Sequence, residues 1–342
     1  MAVSDEIGAL TRAFSGLGID EKSLISILGK WHPEQRNSFR KGTRNFFIED
    51  ERQFERWDDR HIIQLEREFL RFKNAMVLWT MHPWERDARL AKEALYKGPQ
   101  YGVLIEIACT RSSEELLGAR RAYHSLFERS IEEEVASRVG GIERKLLVAL
   151  LSSYRYEGPR VNEEIAKTEA KTLCNAIKNA GKKPAIEEEE VLRILTTRSK
   201  LHIKAVYKHY KEISGKYLDQ DLDAELGLKE TVQCLCLPQT YFSKVRSKYI
   251  ILPPKFPTLF SNKYFHKNIS SQVLDDALKT SVDEITKETV TRVIVTRADA
   301  DMKQIKEEYH QKYGATLSKK IEDVANGNYR EFLLTLVARG DQ

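Results

Sequence analysis

Two glycines, Gly16 and Gly18, fall in a short turn between two segments with helical periodicity, within AFSGLGIDEKSLISIL at residues 13–28. Carbonyl oxygens at a helix end have no intrahelical partner, and the helix dipole makes that end electronegative. Glycine tolerates backbone angles that let several such carbonyls converge on one point. A hard cation such as calcium takes about 6–8 oxygen ligands, and carboxylates are prominent among them. The turn is therefore a candidate cation cradle that still needs a carboxylate.

That carboxylate can come from a later corner of the chain, provided that both corners lie at one end of a helical bundle. The corner before the next strongly apolar run reads QLEREFLRF, at residues 64–72, and offers Glu66 and Glu68. The residues alone leave the choice between these two glutamates open.

A Thr-Arg pair recurs at the end of three apolar runs, in ACTRSSEEL (108–116), LTTRSKLHI (195–203) and IVTRADADM (294–302). Twelve residues after each arginine comes a tyrosine, and thirty-five residues after it another apolar run begins. The arginines are Arg111, Arg198 and Arg297, and the tyrosines are Tyr123, Tyr210 and Tyr309. This pattern indicates an internal repeat with a period of 87 to 99 residues. We expect each arginine, a planar donor at a helix end, to bind carbonyls or a carboxylate of its own repeat.

The first quarter of the chain carries a fourth, altered copy. In SLISILGKWHPEQR the position of the arginine is taken by Trp31, and the later apolar run, MVLWTM, begins forty-five residues on at Met76. The extra spacing predicts an insertion in the charged stretch 48–60. The expected organisation is a repeat at 1–84 with its insertion near 48–58, repeats at 85–160 and 161–249, an irregular linker at 250–272, and a repeat at 273–342.

Apolar residues at i, i+3 and i+4 dominate the chain, and strand signals are few. Nine prolines and seventeen glycines in 342 residues are too few for the many turns of a sandwich or barrel. The sequence therefore predicts an all-α protein of four repeats, each with about five helices, and no sheet of more than two strands. Because such a repeat is small, we expect neighbouring repeats to share buried faces.

Net charge, cysteine content and the longest apolar run indicate which partners and which cellular location to expect. The net charge of +5 is mild, so it permits attraction to anionic surfaces without implying nucleic acid. The four cysteines show no zinc spacing, and we expect buried, reduced thiols. No secretory segment opens the chain and no apolar run reaches eighteen residues, so we expect a cytoplasmic protein with peripheral membrane contact.

Two stretches depart from the helical rhythm. IILPPKFPTLF (250–260) and the residues after it read as a surface linker or, alternatively, as an apolar segment that touches a membrane or partner. PAIEEEE (184–190) reads as the acidic first turn of a helix.

These features together resemble the annexin family, and three segments are most similar to a divergent plant annexin: LWTMHPWERDA (78–88), IACTRSSEELLGARRAYHSLF (107–127) and LLSSYRYEG (150–158). The resemblance implies four annexin repeats that form a curved disc. It also implies calcium-dependent binding to acidic phospholipid through the convex face of that disc.

The family's calcium motif is Gly-x-Gly-Thr followed by an acidic residue about forty positions later. Carried over to the first repeat, it implies Phe14, Gly16 and Gly18 as carbonyl donors and Glu68 as the carboxylate. Ile19 stands in place of the threonine. Alignment of EFLRFKNAMVLW on the following helix selects Glu68 over the glutamate two residues before it.

The other repeats depart from this motif. The second has KGPQYG (97–102) in its turn and Arg138 at the acidic position. The third has Pro184 and Ala185 in its turn, although Glu225 follows forty residues later, and the fourth has no glycine in its turn and Val324 at the acidic position. The first repeat is therefore the expected main calcium site.

The sequence is compatible with three functions. The first is calcium-dependent, reversible membrane binding in calcium or stress signalling. The second is a largely calcium-independent helical scaffold that acts through self-association or cytoskeletal contacts. The third is catalysis, since peroxidase-like and nucleotide-hydrolysing activities are associated with some plant annexins. His32, His82 and His124 lie in no recognisable catalytic constellation and the chain has no P-loop, so we expect no enzyme.

Overall fold

The structure is a computed structural model, and it describes Glu6, Gly8 and residues 21–44, 46–50, 52–58, 72–96, 100–152, 154–179, 184–243, 284–325 and 327–341. Most of these residues are helical, as the periodicity predicted.

The described helices and the two strands occur along the chain in the following order. The first part contains α1 (Glu21–Leu28), α2 (Pro33–Gly42), β1 (Phe47–Asp50), β2 (Phe54–Trp57) and α3 (Phe72–Thr80). The middle part contains α4 (Pro83–Tyr96), α5 (Tyr101–Thr110), α6 (Ser113–Phe127), α7 (Ile131–Arg138), α8 (Glu143–Ser152), α9 (Glu163–Asn179), a 3₁₀ turn (Ala185–Glu187), α10 (Glu189–Thr197), α11 (Lys200–Ser214), α12 (Leu218–Asp221), α13 (Leu226–Cys236) and α14 (Pro238–Ser243). The last part contains α15 (Glu284–Arg297), α16 (Met302–Tyr313), α17 (Leu317–Val324), α18 (Gly327–Ala338) and a closing 3₁₀ turn (Arg339–Asp341).

The second and third repeats each contain five helices, α4–α8 and α9–α13, which agrees with the predicted number of about five. In the second and third repeats the Thr-Arg signature separates two helices. Arg111 is the C-cap of α5, and the hydroxyl of Ser112 accepts the backbone N–H of Glu115 as the N-cap of α6. The signature is therefore a helix stop followed at once by a helix start.

The arginine of the signature binds a carboxylate of its own repeat, as predicted. Arg111 pairs with Asp87 on α4 through two hydrogen bonds, of 2.5 Å from Nε and 2.8 Å from Nη2. Arg198 donates from Nη2 to Glu169 on α9 at 2.6 Å. The third arginine binds within its own turn.

In the fourth repeat Arg297 pairs with Asp301, with N–O distances of 2.7 Å from both Nε and Nη2. In the first repeat the indole N–H of Trp31 donates to the Glu6 carboxylate at 2.8 Å. Tryptophan thus keeps a donor to an acidic residue at the position where the other repeats have arginine, although it carries no charge.

The tyrosines of the repeat are core residues. Tyr123, Tyr210 and Tyr309 are all fully buried. The first two donate their hydroxyls to carboxylates on the fourth helix of the same repeat, to Glu134 at 2.5 Å and to Asp221 at 2.9 Å. In the second and third repeats, two buried polar contacts, one from the arginine and one from the tyrosine, therefore connect helices of the same repeat.

The charged insertion of the first repeat forms a β-hairpin, which the sequence did not predict. β1 and β2 pair antiparallel, with Phe47 opposite Trp57 and Asp50 opposite Phe54. The rings of Phe47 and Trp57 lie 4.6 Å apart, and both side chains are buried. Within the described residues the hairpin is a two-stranded sheet, which agrees with the predicted limit.

The described residues form two compact units. The central unit contains those from Pro83 to Tyr241, which are the second and third repeats. The terminal unit contains those up to His82 together with residues 242–243 and those from Glu284 onward, which are the first and fourth repeats. Neighbouring repeats share a face in the central unit, as expected. The pairing of the first repeat with the fourth was not indicated by their order along the chain.

The central unit is joined by basic side chains that cap helix ends across the two repeats. Arg155, which follows α8 in the second repeat, donates to the carbonyls of Leu195 at 2.6 Å and Arg198 at 2.7 Å, at the end of α10. In return, Lys200 of the third repeat donates to the carbonyls of Thr110 at 3.1 Å and Arg111 at 2.9 Å, at the end of α5. These carbonyls have no intrahelical partner, so the caps satisfy groups that would otherwise be orphaned.

The terminal unit uses a related arrangement. Arg339, which follows α18, donates to the carbonyl of Gly29 at 3.3 Å, just after α1, and to Asp299 at 2.7 Å. Arg36 also binds Asp299, and its guanidinium carbon lies 3.8 Å from the ring centroid of Trp79. A shared carboxylate thus connects the first and fourth repeats.

Replacing Arg111 by methionine should lower the free energy of unfolding by about 3–5 kcal/mol, because Asp87, only 2 % exposed, would keep a buried charge without its partner. Denaturant unfolding measures the loss. Arg121→Met, on the exposed side of α6, is the matched control and should change stability by less than about 0.5 kcal/mol. An unchanged midpoint for Arg111→Met would show that the arginine has no structural role.

Glu169 should make stability depend on acidity. Burial alone would raise the pKa of this carboxyl, but hydrogen bonds from Arg198, Arg193 and His202 outweigh burial and hold the pKa below its ordinary value. A carboxyl with a depressed pKa stabilises the fold above its unfolded pKa, about 4.3, and that stabilisation is lost as the pH falls through the folded pKa.

The difference in unfolding free energy between the parent and Glu169→Gln should therefore be large at pH 7 and shrink below about pH 4. Unfolding curves at several pH values measure it. Glu164→Gln, an exposed change on the same helix, should show no comparable trend. A constant difference for Glu169→Gln across this range would contradict the assignment.

Candidate functional site

The calcium ligands predicted for the first repeat lie outside the described residues. These are Phe14, Gly16, Gly18 and Glu68, and the rejected alternative Glu66 also lies there. Their assignment stays a prediction. The later corners of the second and third repeats are described, as is the third repeat's turn from Pro184 onward, whereas residues 97–99 of the second repeat's turn lie outside the described residues. These described corners bear on what this part of the repeat can bind.

In the third repeat the two predicted corners meet. The first corner is the 3₁₀ turn Ala185–Glu187 between α9 and α10, and the second ends at Glu225, the N-cap position of α13. The Glu225 carboxylate accepts the backbone N–H of Ala185 at 2.7 Å and of Ile186 at 2.9 Å. Residues forty positions apart are thus brought into direct contact by the fold of the repeat.

This arrangement does not fit a calcium ion. Calcium requires converging oxygen atoms, whereas the turn directs two N–H donors at the Glu225 carboxylate. The turn has Pro184 and Ala185 where the motif requires glycines, and Pro184 takes an ordinary extended conformation with φ −55° and ψ 139°. The carboxylate therefore caps its own turn.

In the second repeat a cation occupies the corresponding corner. The guanidinium carbon of Arg138, at the end of α7, lies 3.4 Å from the ring centroid of Tyr96, at the end of α4. Its Nε lies 4.0 Å from the carboxylate of Glu134. A fixed positive charge here repels calcium, so this corner does not fit the ion either.

Glu134 anchors this corner from inside the bundle. It is 1 % exposed and accepts hydrogen bonds from Tyr123 at 2.5 Å, Tyr96 at 2.7 Å and Lys92 at 3.0 Å. Burial would raise the pKa of Glu134, but these three donors outweigh it and the pKa lies below its ordinary value. Sequence reasoning missed this network, and its only local signal is the four-residue spacing of Glu134 and Arg138 on α7.

The fourth repeat is described at one corner only. Residues 278–283, its first corner, lie outside the described residues. Asp323, next to the position where Val324 replaces the acidic residue, is half exposed and lies 3.7 Å from the ammonium of Lys319. Within the described part of the chain, no group of three or more histidine, cysteine, aspartate or glutamate side chains is placed to hold a metal ion.

The four cysteines are buried, as predicted. Burial raises the pKa of the Cys109 thiol to about 11 and that of Cys236 to about 12. Both thiols are therefore protonated at neutral pH and are poor nucleophiles.

Among the helices that the structure describes, none combines the length and the apolar character needed to cross a bilayer.

A family model described as Annexin matches residues 86–150, 168–227 and 270–336, which correspond to the second, third and fourth repeats. Annexin D4 of Arabidopsis thaliana is 47 % identical to this chain and covers all of both proteins. Annexin-like protein RJ4 of Fragaria ananassa is 35 % identical, over 98 % of this chain and 96 % of its own length.

Solved annexin structures have the same fold. A structure of annexin III superposes with a TM-score of 0.77 over 98 % of this chain and 94 % of its own, at 24 % sequence identity. Sequence matches of this extent and identity, with the repeat signature that carries the arginine–carboxylate pairs, identify this chain as a member of the annexin family.

Proposed function

We propose that this annexin binds acidic phospholipid membranes reversibly when calcium rises, and that its first repeat is the calcium site. In this proposal Phe14, Gly16 and Gly18 present backbone carbonyls, and Glu68 supplies the carboxylate. Membership of the annexin family supports the general activity. The residue assignment rests on the sequence motif.

One observation carries the site assignment. In the third repeat the turn between the first two helices touches the acidic residue forty positions later, at 2.7 Å. The same repeat fold in the first repeat would bring its glycine turn to Glu68, across the hairpin insertion. There the turn has glycines, so its carbonyls can converge on a cation that the carboxylate neutralises.

A bound calcium ion would supply the positive charge that attracts a lipid phosphate. The protein's own part is to hold three carbonyls at a helix end and one carboxylate beside them. A site with one carboxylate binds calcium weakly by itself, so membrane and ion are expected to bind together. We place the protein in the cytoplasm, as a peripheral membrane protein in calcium or stress signalling.

The second candidate is a helical scaffold that acts through self-association or cytoskeletal contacts. The corners of the second and third repeats favour it, since neither fits calcium. Sedimentation with phosphatidylserine vesicles separates the two functions. Binding that rises with calcium over a chelator baseline supports membrane binding, and no calcium-dependent increase supports the scaffold.

Glu68→Gln should shift the calcium midpoint of vesicle binding more than tenfold upward, a loss of over about 1.4 kcal/mol. Glutamine keeps the size and one oxygen but removes the charge, and the partial charge of a helix end, about −0.5, does not replace it. A calcium titration of vesicle sedimentation measures the shift.

Glu66→Gln is the control for this variant and should leave the midpoint unchanged. An unchanged midpoint for Glu68→Gln would show that the first repeat is not the main calcium site.

Glu225→Gln should lower the free energy of unfolding by about 1–3 kcal/mol and leave the calcium midpoint of vesicle binding unchanged. The carboxylate accepts two backbone N–H groups, and glutamine offers one acceptor. Unfolding and vesicle titration together test both halves. Asp223→Asn, an exposed change two residues earlier, should alter neither. A shift of the calcium midpoint in Glu225→Gln would show that the third repeat binds calcium.

A further inference from the structure

We propose that the corner of the second repeat binds the phosphate of an acidic phospholipid without calcium, through the guanidinium of Arg138. We define the arginine corner as Tyr96, Arg138 and the turn at residues 139–142. This inference rests on the proposed membrane binding, and it adds a contact that calcium does not control.

The Arg138 guanidinium is held in place yet free to donate. Its guanidinium carbon lies 3.4 Å from the ring centroid of Tyr96, and a guanidinium that stacks on a ring can still donate from its N–H edges. The side chain is 39 % exposed, and its ion-pair contact with Glu134 is long, at 4.0 Å. It donates no hydrogen bond to any residue in the described part of the chain.

Among the described residues, the ion pair of Arg138 is with Glu134, and it is long, at 4.0 Å. That carboxylate already binds Lys92 at 3.0 Å and the hydroxyls of Tyr96 and Tyr123. One buried carboxylate thus faces more than one cation, and the excess positive charge lies at the exposed end of α7. A phosphate oxygen is the complementary partner, because guanidinium and phosphate form short, bidentate, charge-assisted bonds.

The rim of the arginine corner suits a lipid surface better than a free anion in water. The turn after α7 contains exposed Gly140 and Gly141 and ends at Ile142, which is 36 % exposed. Glu143 follows, with its carboxylate beside Gly141, and after it come two exposed cations, Arg144 and Lys145, so the basic side chains outnumber the acidic one. The Nε of Arg144 donates to the carbonyl of Val139 at 2.6 Å. Apolar and basic side chains together at an exposed turn favour the boundary between headgroups and acyl chains.

The arginine corner lies beside the corner of the third repeat. A Cβ placed at Gly227, in the first turn of α13, would lie 3.1 Å from the Leu146 side chain, in the first turn of α8. The fifth helices of the two repeats therefore begin side by side. Arg138 and Glu225, which precede these helices, are consequently at the same end of the central unit, where the family motif places its calcium ligands.

The acidic position of the calcium motif thus has a different charge arrangement in each of the first three repeats. It is Glu68 in the first, where we propose a calcium ligand, Arg138 in the second, and Glu225, whose carboxylate caps its own turn, in the third. The motif puts a carboxylate there so that a calcium ion can bridge protein and phosphate. In the second repeat the protein supplies the positive charge itself. Such a contact persists when calcium is removed, and it weakens with salt as exposed charge contacts do.

The test is vesicle sedimentation in chelator at low ionic strength, with phosphatidylserine–phosphatidylcholine vesicles and with phosphatidylcholine vesicles alone. The parent should bind only the anionic vesicles. Arg138→Gln should bind them about five-fold more weakly, which corresponds to about 1 kcal/mol for one basic residue at an anionic surface. Arg129→Gln is the matched control.

Arg129 lies at the other end of α7, 3.9 Å from the same Glu134, and is 65 % exposed, so its loss changes the net charge equally. It should leave binding in chelator unchanged. Thermal unfolding of each variant establishes that the fold is intact.

Each outcome decides the proposal. A selective loss in Arg138→Gln supports it. Equal losses in both variants overturn it, because overall charge alone would then explain binding. A parent that binds with calcium but not in chelator also overturns it, while the proposed calcium-dependent function stands. A parent that binds under neither condition overturns both.

Discussion

The carbonyl groups at the end of each repeat's second helix are the constraint on which the other contacts depend. Four carbonyls at a helix end have no intrahelical partner, and in the central unit these ends face the neighbouring repeat. Arg155 satisfies those of Leu195 and Arg198, and Lys200 satisfies that of Thr110 from the opposite side. Because each repeat caps a helix end of the other, the carbonyls at the ends of α5 and α10 find these partners only when the two repeats are packed together. The two-repeat unit follows from this need.

The terminal unit meets the same need with other side chains. Arg339 reaches the carbonyl after α1, as Arg155 reaches those at the end of α10. At the position equivalent to Lys200 the fourth repeat has Asp299, which cannot cap a carbonyl and instead binds Arg36 and Arg339. The same position of the repeat therefore contacts the neighbouring repeat in both units, through a lysine that caps carbonyls in one and an aspartate that binds arginines in the other. This explains how the first repeat can lose its signature arginine and remain part of the fold.

Short sequence patterns predicted the helices and the contacts made within one repeat. Helical periodicity gave the helices, and the recurring Thr-Arg pair gave the arginine–carboxylate contacts, because a planar donor at a helix end needs a partner within reach. The hairpin at Phe47–Trp57 was missed, since each strand has four residues and charged side chains obscure the alternation. The caps made by Arg155 and Lys200 were missed because they join repeats through tertiary contacts that no short spacing records.

At the candidate site, the sequence predicted that two corners forty residues apart would meet, and the third repeat bears out that geometry. What meets there depends on single residues. Glu225 faces backbone N–H groups, and Arg138 faces the ring of Tyr96. In the third repeat the two corners are held together directly, by hydrogen bonds from the turn to the Glu225 carboxylate. The chemistry of such a corner therefore depends on whether a few backbone groups offer carbonyls or N–H donors. The second and third repeats thus share the same five-helix fold although the charged side chains at their corners differ.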